Sequence, residues 1–200
     1  MRYSIELISK KNFKMIAKIW KESLSDNIYS ILGNKFIFKY LNFFFYSNSC
    51  GFIIKIKKKV VGFILFGDDN YLNKLIIKKY FLKVSFRLII LLFSKKNFLW
   101  YILKLFIFFI FYNFKYRSLY ERNKIELLII CIKKKNQNNG IGSELLHYSI
   151  SYLKKSFITK YNKIIVKTLL TSIKNIRFYK KNSFKYYKTI YPMIFFKKNL

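Results

Sequence analysis

The sequence is constrained most by an apolar run that leads, through a turn with two glycines, into a helical pattern. Residues 126–132 read Glu-Leu-Leu-Ile-Ile-Cys-Ile, and residues 137–146 read Gln-Asn-Asn-Gly-Ile-Gly-Ser-Glu-Leu-Leu. A short apolar run bounded by turn residues is typical of a buried strand, and the pattern after the turn predicts a helix over 141–155. The chain therefore contains a strand, a tight turn and a helix in direct succession.

The turn has the properties of a phosphate-binding turn. Gly140 and Gly142 allow a close approach of the backbone to a ligand and dihedral angles that other residues avoid. The first N–H groups of the new helix have no intrahelical acceptor and attract anions. The segment lacks the third glycine of a Rossmann GxGxxG and the GxxxxGK of a P-loop. An ordinary tight turn is the alternative interpretation of the same residues.

Hydrophobic periodicity predicts the other elements. Gly51 starts a hairpin, and the lone Pro192 separates the last two strands. Asn12 is expected to cap the first helix. The predicted strands span residues 2–7, 51–57, 60–66, 126–132, 163–169, 184–190 and 193–197, and the predicted helices span 12–22, 28–32, 36–44, 141–155 and 172–182.

The length predicts a single domain over residues 1–200, because a chain of this size buries roughly 70% of its unfolded surface. Residues 68–122 form a hydrophobic insertion that Lys83, Arg87 and Lys104 interrupt, so we expect no membrane-spanning helix there. Two interpretations stay open: a helical lid packed on the sheet, or a basic and aromatic surface that contacts a membrane or a partner subunit.

The formal net charge is +32, which suits nucleic acid, anionic lipid or a polyanionic cofactor as a partner. Residues with A/T-rich codons crowd the chain, however, so mutational bias accounts for much of this charge, and we expect no nucleic-acid partner. With only two cysteines and no signal-peptide pattern, we expect a cytoplasmic protein, with peripheral membrane contact through the insertion as the alternative. No oligomeric state is assigned.

Scarce side chains restrict the chemistry. His147 is the single histidine, which excludes most Ser-His-Asp and Cys-His machinery and leaves a zinc site without ligands, so no metal is expected. We expect His147 to lie on a helix surface or to pack on the sheet, without a catalytic role. Asp68 and Asp69, the one adjacent acidic pair, indicate a turn. Cys131 lies inside the apolar run and is expected to pack as a small hydrophobic residue.

Two motifs in the right order give the chain a resemblance to the GNAT N-acetyltransferase superfamily. Gln137, Gly140 and Gly142 fill the family motif (Arg/Gln)-x-x-Gly-x-(Gly/Ala) between strand and helix. Phe178-Tyr179 and Phe184 match part of its later motif, Asn-x-x-Ala-x-x-Phe-Tyr-x-x-x-Gly-Phe. That motif departs from the family at three positions, where Ser172, Asn175 and Ser183 replace Asn, Ala and Gly.

The resemblance implies an acyl-CoA N-acyltransferase fold, which is α+β with three layers. Its central sheet is mixed, mostly antiparallel, with about six to seven strands flanked by helices. The hydrophobic insertion is expected to be helical and to lie between the third and fourth strands. The resemblance covers residues 126–190 well and residues 1–67 by element order.

The resemblance further implies transfer of an acetyl group from acetyl-CoA to an amine, without a metal. Glu126 aligns with the family's base and Tyr179 with its acid, with Glu121 as an alternate base; the other interpretations are that Glu126 pairs with a Lys or Arg and that Tyr179 packs on the sheet. Strand carbonyls would hold the pantetheine arm and turn amides the pyrophosphate. The implied cofactor-binding residues are Ile130, Cys131, Ile132, Gln137, Asn138, Asn139, Gly140, Ile141, Gly142, Ser143 and Ser172.

The resemblance and the composition predict three classes of function. The first is an N-acetyltransferase acting on a primary amine, such as an amino sugar or another small molecule. The second is a catalytically degenerate protein that binds acyl-CoA, which the departures at Ser172, Asn175 and Ser183 suggest. The third is a basic protein of membrane surfaces or nucleic acids, which should carry a coherent basic face.

Overall fold

The computed structural model describes residues 3–25, 27–47, 49–69, 71–72, 75, 78–80, 123–156 and 160–200. Seven strands and five helices of these residues build the fold. The strands are β1 (Tyr3–Leu7), β2 (Cys50–Ile56), β3 (Lys59–Gly67), β4 (Lys124–Ile132), β5 (Lys163–Leu169), β6 (Lys185–Ile190) and β7 (Met193–Asn199). The helices are α1 (Phe13–Ser23), α2 (Ile28–Leu32), α3 (Asn34–Tyr46), α4 (Ile141–Ser156) and α5 (Ile173–Lys181).

All seven strands form one sheet in the order β1-β2-β3-β4-β5-β7-β6. Every neighbouring pair is antiparallel except β4 and β5, which are parallel and are connected through α4. A parallel pair needs such a crossover, whereas antiparallel strands can be joined by a tight turn. The strand, turn and helix that dominate the sequence therefore form the crossover at the centre of the sheet.

Helices cover both faces of the sheet and give it two cores. One core packs the apolar side of α4, with Leu145, Leu146 and Ile150, on residues of β2 to β5 and β7. The other packs α1 and α3, with Trp20 and Tyr40, on the opposite face. Coverage on both faces explains why β3 is buried from Val60 to Gly67 without alternation. The result is a three-layer architecture.

The structure confirms the predicted fold class of a mixed, mostly antiparallel sheet flanked by helices. The buried stripe predicted for α1 is also confirmed, since Phe13, Ile16, Ala17, Ile19 and Trp20 are all buried. The predicted cap is wrong in its contacts. Asn12 precedes α1, but its Oδ1 accepts from the backbone N and Oγ of Ser9, because a 3₁₀ turn at Lys10–Asn12 lies directly before the helix.

Most of the insertion, including residues 81–122, lies outside the described residues. Both interpretations of it, as a lid or as a surface, therefore stay predictions. The single-domain assignment stays a prediction. In the part of the chain that the structure describes, no helix is long and apolar enough to cross a membrane.

The C-terminus of α5 ends in a Schellman motif with serine in place of glycine. Ser183 has φ 64°, its N–H donates to Lys180 O at 3.0 Å, and the N–H of Phe184 donates to Tyr179 O at 3.0 Å. The accompanying hydrophobic contact is between the rings of Tyr179 and Phe184, whose centroids lie 5.8 Å apart. Ser183 thus adopts the left-handed conformation for which the family motif has glycine.

Ser183→Gly is expected to raise the free energy of unfolding by about 0.5–1 kcal/mol. A side chain in the left-handed region costs about 1–2 kcal/mol, and the extra freedom of glycine in the unfolded chain offsets part of that gain. Denaturant unfolding of both proteins measures the difference. The matched control is Ser172→Gly, where φ is −85°, so glycine should bring no gain. Equal or lower stability of Ser183→Gly would contradict the strain argument.

Candidate active site

Strands β4 and β5 pair over only part of their length. Lys124–Leu127 of β4 pair with Lys163–Val166 of β5. Beyond these pairs β4 continues to Ile132 on the edge of β3, and β5 continues to Leu169 on the edge of β7. The two strands therefore diverge into a fork, which we define by residues 128–132 and 167–169. Its two inner edges carry backbone N–H and C=O groups that no strand pairing among the described residues satisfies.

A β-bulge in β4 lies where the fork begins. Leu65 of β3 pairs with Ile129, and the next residue, Phe66, pairs with Leu127, so Leu128 is the extra residue. Leu127 belongs to the core beneath α4, whereas Ile129 contacts the core beneath α1 and α3. A bulge adds one residue to a strand and thus reverses the alternation of faces after it. Glu126 consequently points to the same face as Ile129.

The glycine turn lies at the open end of the fork. After Ile132 the chain forms a 3₁₀ turn at Lys134–Asn136, and Nε2 of Gln137 donates to Ile132 O at 2.8 Å. Gly140 has φ 76°, which favours glycine, and its carbonyl accepts from the amides of Ser143 and Glu144 at 2.9 and 3.1 Å. The described residues provide no acceptor for the amides of residues 138–142. This turn thus presents a run of unsatisfied N–H donors.

The backbone at Gly142 is close to two side chains that border the fork. A Cβ at this position would lie 3.4 Å from Cε2 of Phe178 and 3.7 Å from Cγ1 of Ile132. Both distances are ordinary van der Waals contacts, so alanine fits and a larger side chain does not fit without a shift of α4 or Phe178. Ile141, the first residue of α4, is buried in the core beneath the helix.

Ser172 lies at the same open end, on the β5 side. It directly precedes α5, its N–H donates to Leu169 O at 3.0 Å, and its side chain makes no capping hydrogen bond. Asn175, which replaces the family's alanine, donates from Nδ2 to Oγ1 of Thr168 at 3.2 Å. The structure therefore brings Ser172 and the glycine turn to one end of the fork.

Tyr179 of α5 lies in the core beneath α4, near β7 and near Cys131 of β4. Its ring centroid is 6.2 Å from that of Phe196, which pairs with Val166 of β5. Burial, and then the neighbouring Cys131 thiol of β4, raise the pKa of the Tyr179 hydroxyl. The phenol therefore stays protonated at physiological pH. Tyr179 is 7% exposed and belongs to the core beneath α4. It therefore packs on the sheet, which was the alternative to its role as an acid, and it also lies near the fork.

Glu126 is buried at the closed end of the fork between two lysines. Its side chain is 8% exposed; Oε1 lies 3.2 Å from Nζ of Lys124, and Oε2 lies 3.8 Å from Nζ of Lys167. Lys167 also pairs with Oδ2 of Asp69 at 2.5 Å. Glu126 therefore pairs with lysine, which was the predicted alternative to its role as a base. It is also buried, as a general base often is.

Two tyrosines of the N-terminal helices face this charged group. Burial and then Asp69 raise the pKa of the Tyr29 hydroxyl, whereas Lys167 lowers it. The pKa of Tyr40 is raised by burial and then by Asp69, and Glu126 adds to the rise. The sequence analysis did not single out Lys167, Tyr29 or Tyr40. A lysine inside the apolar strand Lys-Ile-Ile-Val-Lys-Thr-Leu was the one available signal for Lys167.

The remaining candidate residues lie apart from the fork or outside the described residues. His147 is exposed on α4, as predicted. Cys131 is buried, and burial raises the pKa of its thiol, which disfavours the thiolate that a nucleophile needs. Glu121 lies outside the described residues. Among the residues that are described, no group of three His, Cys, Asp or Glu side chains could hold a metal ion.

Comparisons with known proteins bear on this arrangement. A family model described as the acetyltransferase (GNAT) family matches residues 14–184. The PaiA N-acetyltransferase of Thermoplasma acidophilum, solved in complex with coenzyme A, is 14% identical with a TM-score of 0.62, and the match covers 100% of both chains. An acetyltransferase of Thermus thermophilus is 12% identical with a TM-score of 0.61, covering 100% of this chain and 98% of the other.

A GNAT family acetyltransferase of Elizabethkingia anophelis with acetyl-CoA bound is 14% identical with a TM-score of 0.55, covering 99% of this chain and 98% of the other. At these identities the structural likeness concerns the fold. No match was found among the curated proteins.

Proposed function

Because the chain belongs to the GNAT acetyltransferase family, we propose that it transfers an acetyl group from acetyl-CoA to a primary amine, as in an amino sugar or another small molecule. The observation that carries this proposal is the fork between β4 and β5, which ends at a turn with unsatisfied N–H donors. Acetyl-CoA carries a thioester, a long polar arm and a pyrophosphate in this order. It therefore needs a strand edge for the arm and, beyond it, a group of N–H donors for the pyrophosphate. One strand edge can bind the arm, and the turn can bind the anion.

The cofactor residues follow from this order along the fork. The pyrophosphate is assigned to the amides of residues 138–142, since those of Gln137 and Ser143 already donate to backbone carbonyls. The Ser143 hydroxyl and the side chains of Asn138 and Asn139 border the same turn. The pantetheine arm is assigned to the edge of β4 that borders the fork at Ile130, Cys131 and Ile132, where Gln137 already donates to the carbonyl of Ile132, with Ser172 opposite. Gln137 acts indirectly, because it closes the turn onto Ile132.

Glu126 is assigned as the base at the closed end. It takes one proton from the acceptor ammonium, so that the neutral amine nitrogen can form a bond to the thioester carbonyl carbon. The carbon–sulfur bond then breaks, and the electron pair leaves with sulfur. The nitrogen loses a second proton as the amide forms, which balances the proton that sulfur gains. Holding both reactants in one fork supplies much of the rate enhancement.

Tyr179 is assigned as the acid that protonates the departing CoA thiolate. Its raised pKa keeps the phenol protonated and able to donate. Tyr179→Phe is expected to lower kcat by about tenfold, which is below the usual effect of a general acid, because a thiolate leaves readily. Steady-state kinetics measures this change, and the acetyl-CoA Kd should stay at the parent value because the ring packing is kept. A kcat within twofold of the parent would remove this role.

The proposed function is tested with acetyl-CoA and a panel of primary amines led by amino sugars. Calorimetry should detect acetyl-CoA binding at micromolar concentrations, and one amine of the panel should trigger release of free CoA thiol. Binding without thiol release across the panel would favour the acyl-CoA-binding alternative. Absence of binding would contradict both that alternative and the proposed function.

A further inference from the structure

An ion pair crosses over β4 at the position of the proposed base. Asp69 lies two residues beyond Gly67 of β3, which pairs with Glu126, and Lys167 lies on β5, on the other side of β4. The Asp69 Oδ2 to Lys167 Nζ distance is 2.5 Å. Asp69 follows β3 and Lys167 belongs to β5, so their contact exists only because the sheet places β3 and β5 on either side of β4.

Lys167 is also the first residue of β5 beyond the pairs with β4, at the point where the fork opens. Its ammonium group lies 3.8 Å from Oε2 of Glu126, while Lys124 approaches the other oxygen, Oε1. The two lysines are positioned in different ways. Lys124 is two residues from Glu126 on the same strand, whereas Lys167 is held by Asp69 and lies between two carboxylates.

We propose that Lys167 is a positioning residue, which holds the Glu126 carboxyl group directed into the fork by bridging it to Asp69. This inference rests on the proposed function, in which Glu126 accepts a proton. Without Lys167, the carboxyl groups of Asp69 and Glu126 lie on the same side of β4 and lose the cation that contacts both of them. Like charges at such a site disfavour ionisation of one member.

The other charged and titratable groups around Glu126 fit this arrangement. Among the described residues these are Lys124 of β4 and the hydroxyls of Tyr29 of α2 and Tyr40 of α3. Burial, before any charge effect, raises the pKa values of both phenols, so they remain neutral while the carboxylates titrate. Lys124 remains in place when Lys167 is replaced, and it limits the expected effect.

The test is the titration of Glu126 by NMR in protein labelled with ¹³C at the glutamate carboxyl carbon. The chain has five glutamates, Glu6, Glu22, Glu121, Glu126 and Glu144, so the spectrum is simple, and Glu126→Gln identifies the resonance. In Lys167→Met the titration midpoint of Glu126 is expected to rise by about one pH unit, since an opposite charge within 4–6 Å shifts a carboxyl by about 1–3 units. Lys167→Arg should restore the parent midpoint.

The double variant Asp69→Asn with Lys167→Met separates electrostatics from packing. It removes both members of the pair, so the Glu126 midpoint is expected to lie between the parent value and that of Lys167→Met. It also serves if Lys167→Met alone does not fold, because it leaves no unpaired Asp69 charge. The midpoint of exposed Glu6 should not move in any variant. An unchanged Glu126 midpoint in Lys167→Met, or a midpoint in the double variant that lies at the parent value or above that of Lys167→Met, would overturn the proposal.

This titration needs no acceptor and no turnover, so its failure is distinct from failure of the proposed function. If the parent binds and turns over acetyl-CoA but the midpoint does not move, Lys167 has only a structural role. If the midpoint moves as expected, the acidic limb of the kcat/KM profile in Lys167→Met should move by the same amount. A loss of rate that is equal at every pH would contradict the positioning role.

Discussion

Glu126→Gln is expected to lower kcat/KM for the acceptor amine by about 100-fold near neutral pH. A general base contributes about 10²–10⁴ in rate, and glutamine keeps the size of the side chain but cannot accept the proton. The loss should shrink as the pH approaches about 10, where an alkyl amine loses its proton to solvent without help. The pH profile of kcat/KM for parent and variant, with free CoA thiol as the product signal, measures this dependence.

The matched control for this experiment is Glu6→Gln. Glu6 also pairs with a lysine, Lys55, at 2.6 Å, but it lies on the edge strand β1 with its side chain 49% exposed. Its replacement should leave the profile unchanged. Because Glu126 also separates two lysines, the acetyl-CoA Kd and the Tm of Glu126→Gln are measured beside the rate. A folded variant with kcat/KM within twofold of the parent at every pH would clear Glu126 of the role of base.

Gly142→Val is expected to weaken acetyl-CoA binding by about 100-fold. The Cβ fits at 3.4 Å from Phe178 and 3.7 Å from Ile132, but the two additional methyl groups of valine must displace Phe178 or the first turn of α4. Either shift moves the amides that are assigned to the pyrophosphate. Charge-assisted hydrogen bonds contribute about 1.5–3 kcal/mol each, so the loss of one or two gives an effect of this size.

Gly142→Ala is the control, because its single Cβ makes only ordinary contacts, and we expect its acetyl-CoA Kd within about threefold of the parent. Calorimetry with acetyl-CoA compares the three proteins, and thermal unfolding shows whether each is folded. If folded Gly142→Val binds acetyl-CoA as tightly as the parent, the pyrophosphate does not occupy this turn.

The cofactor side of the proposed site was the part most accessible from sequence. The order Gln137, Gly140, Gly142 is local, and its structure is local too: a side chain closes the turn on Ile132, one glycine has positive φ, and the helix follows at once. The departure at Ser183 was also visible, but its consequence was not. Only the backbone shows that serine adopts the glycine conformation there without loss of the Schellman hydrogen bonds.

The acceptor side depended on contacts that no local pattern encodes. Strict alternation along β4 would place Glu126, Leu128 and Ile130 on one face, whereas the bulge puts Leu128 and Ile129 on the core beneath α1 and α3 and Ile130 on the core beneath α4. A bulge reflects how two strands accommodate each other, so one strand's sequence does not reveal it. The Asp69 to Lys167 pair likewise joins residues 98 positions apart.

The sequence by itself determined the secondary structure, the family resemblance and the turn assigned to the pyrophosphate, because periodicity and turn chemistry act over a few neighbouring residues. The tertiary structure alone decided where β4 and β5 part, which face Glu126 takes and which charges surround it. Those properties arise when distant strands are brought side by side and buried, where a dielectric lower than that of water makes each charge act on its new neighbours.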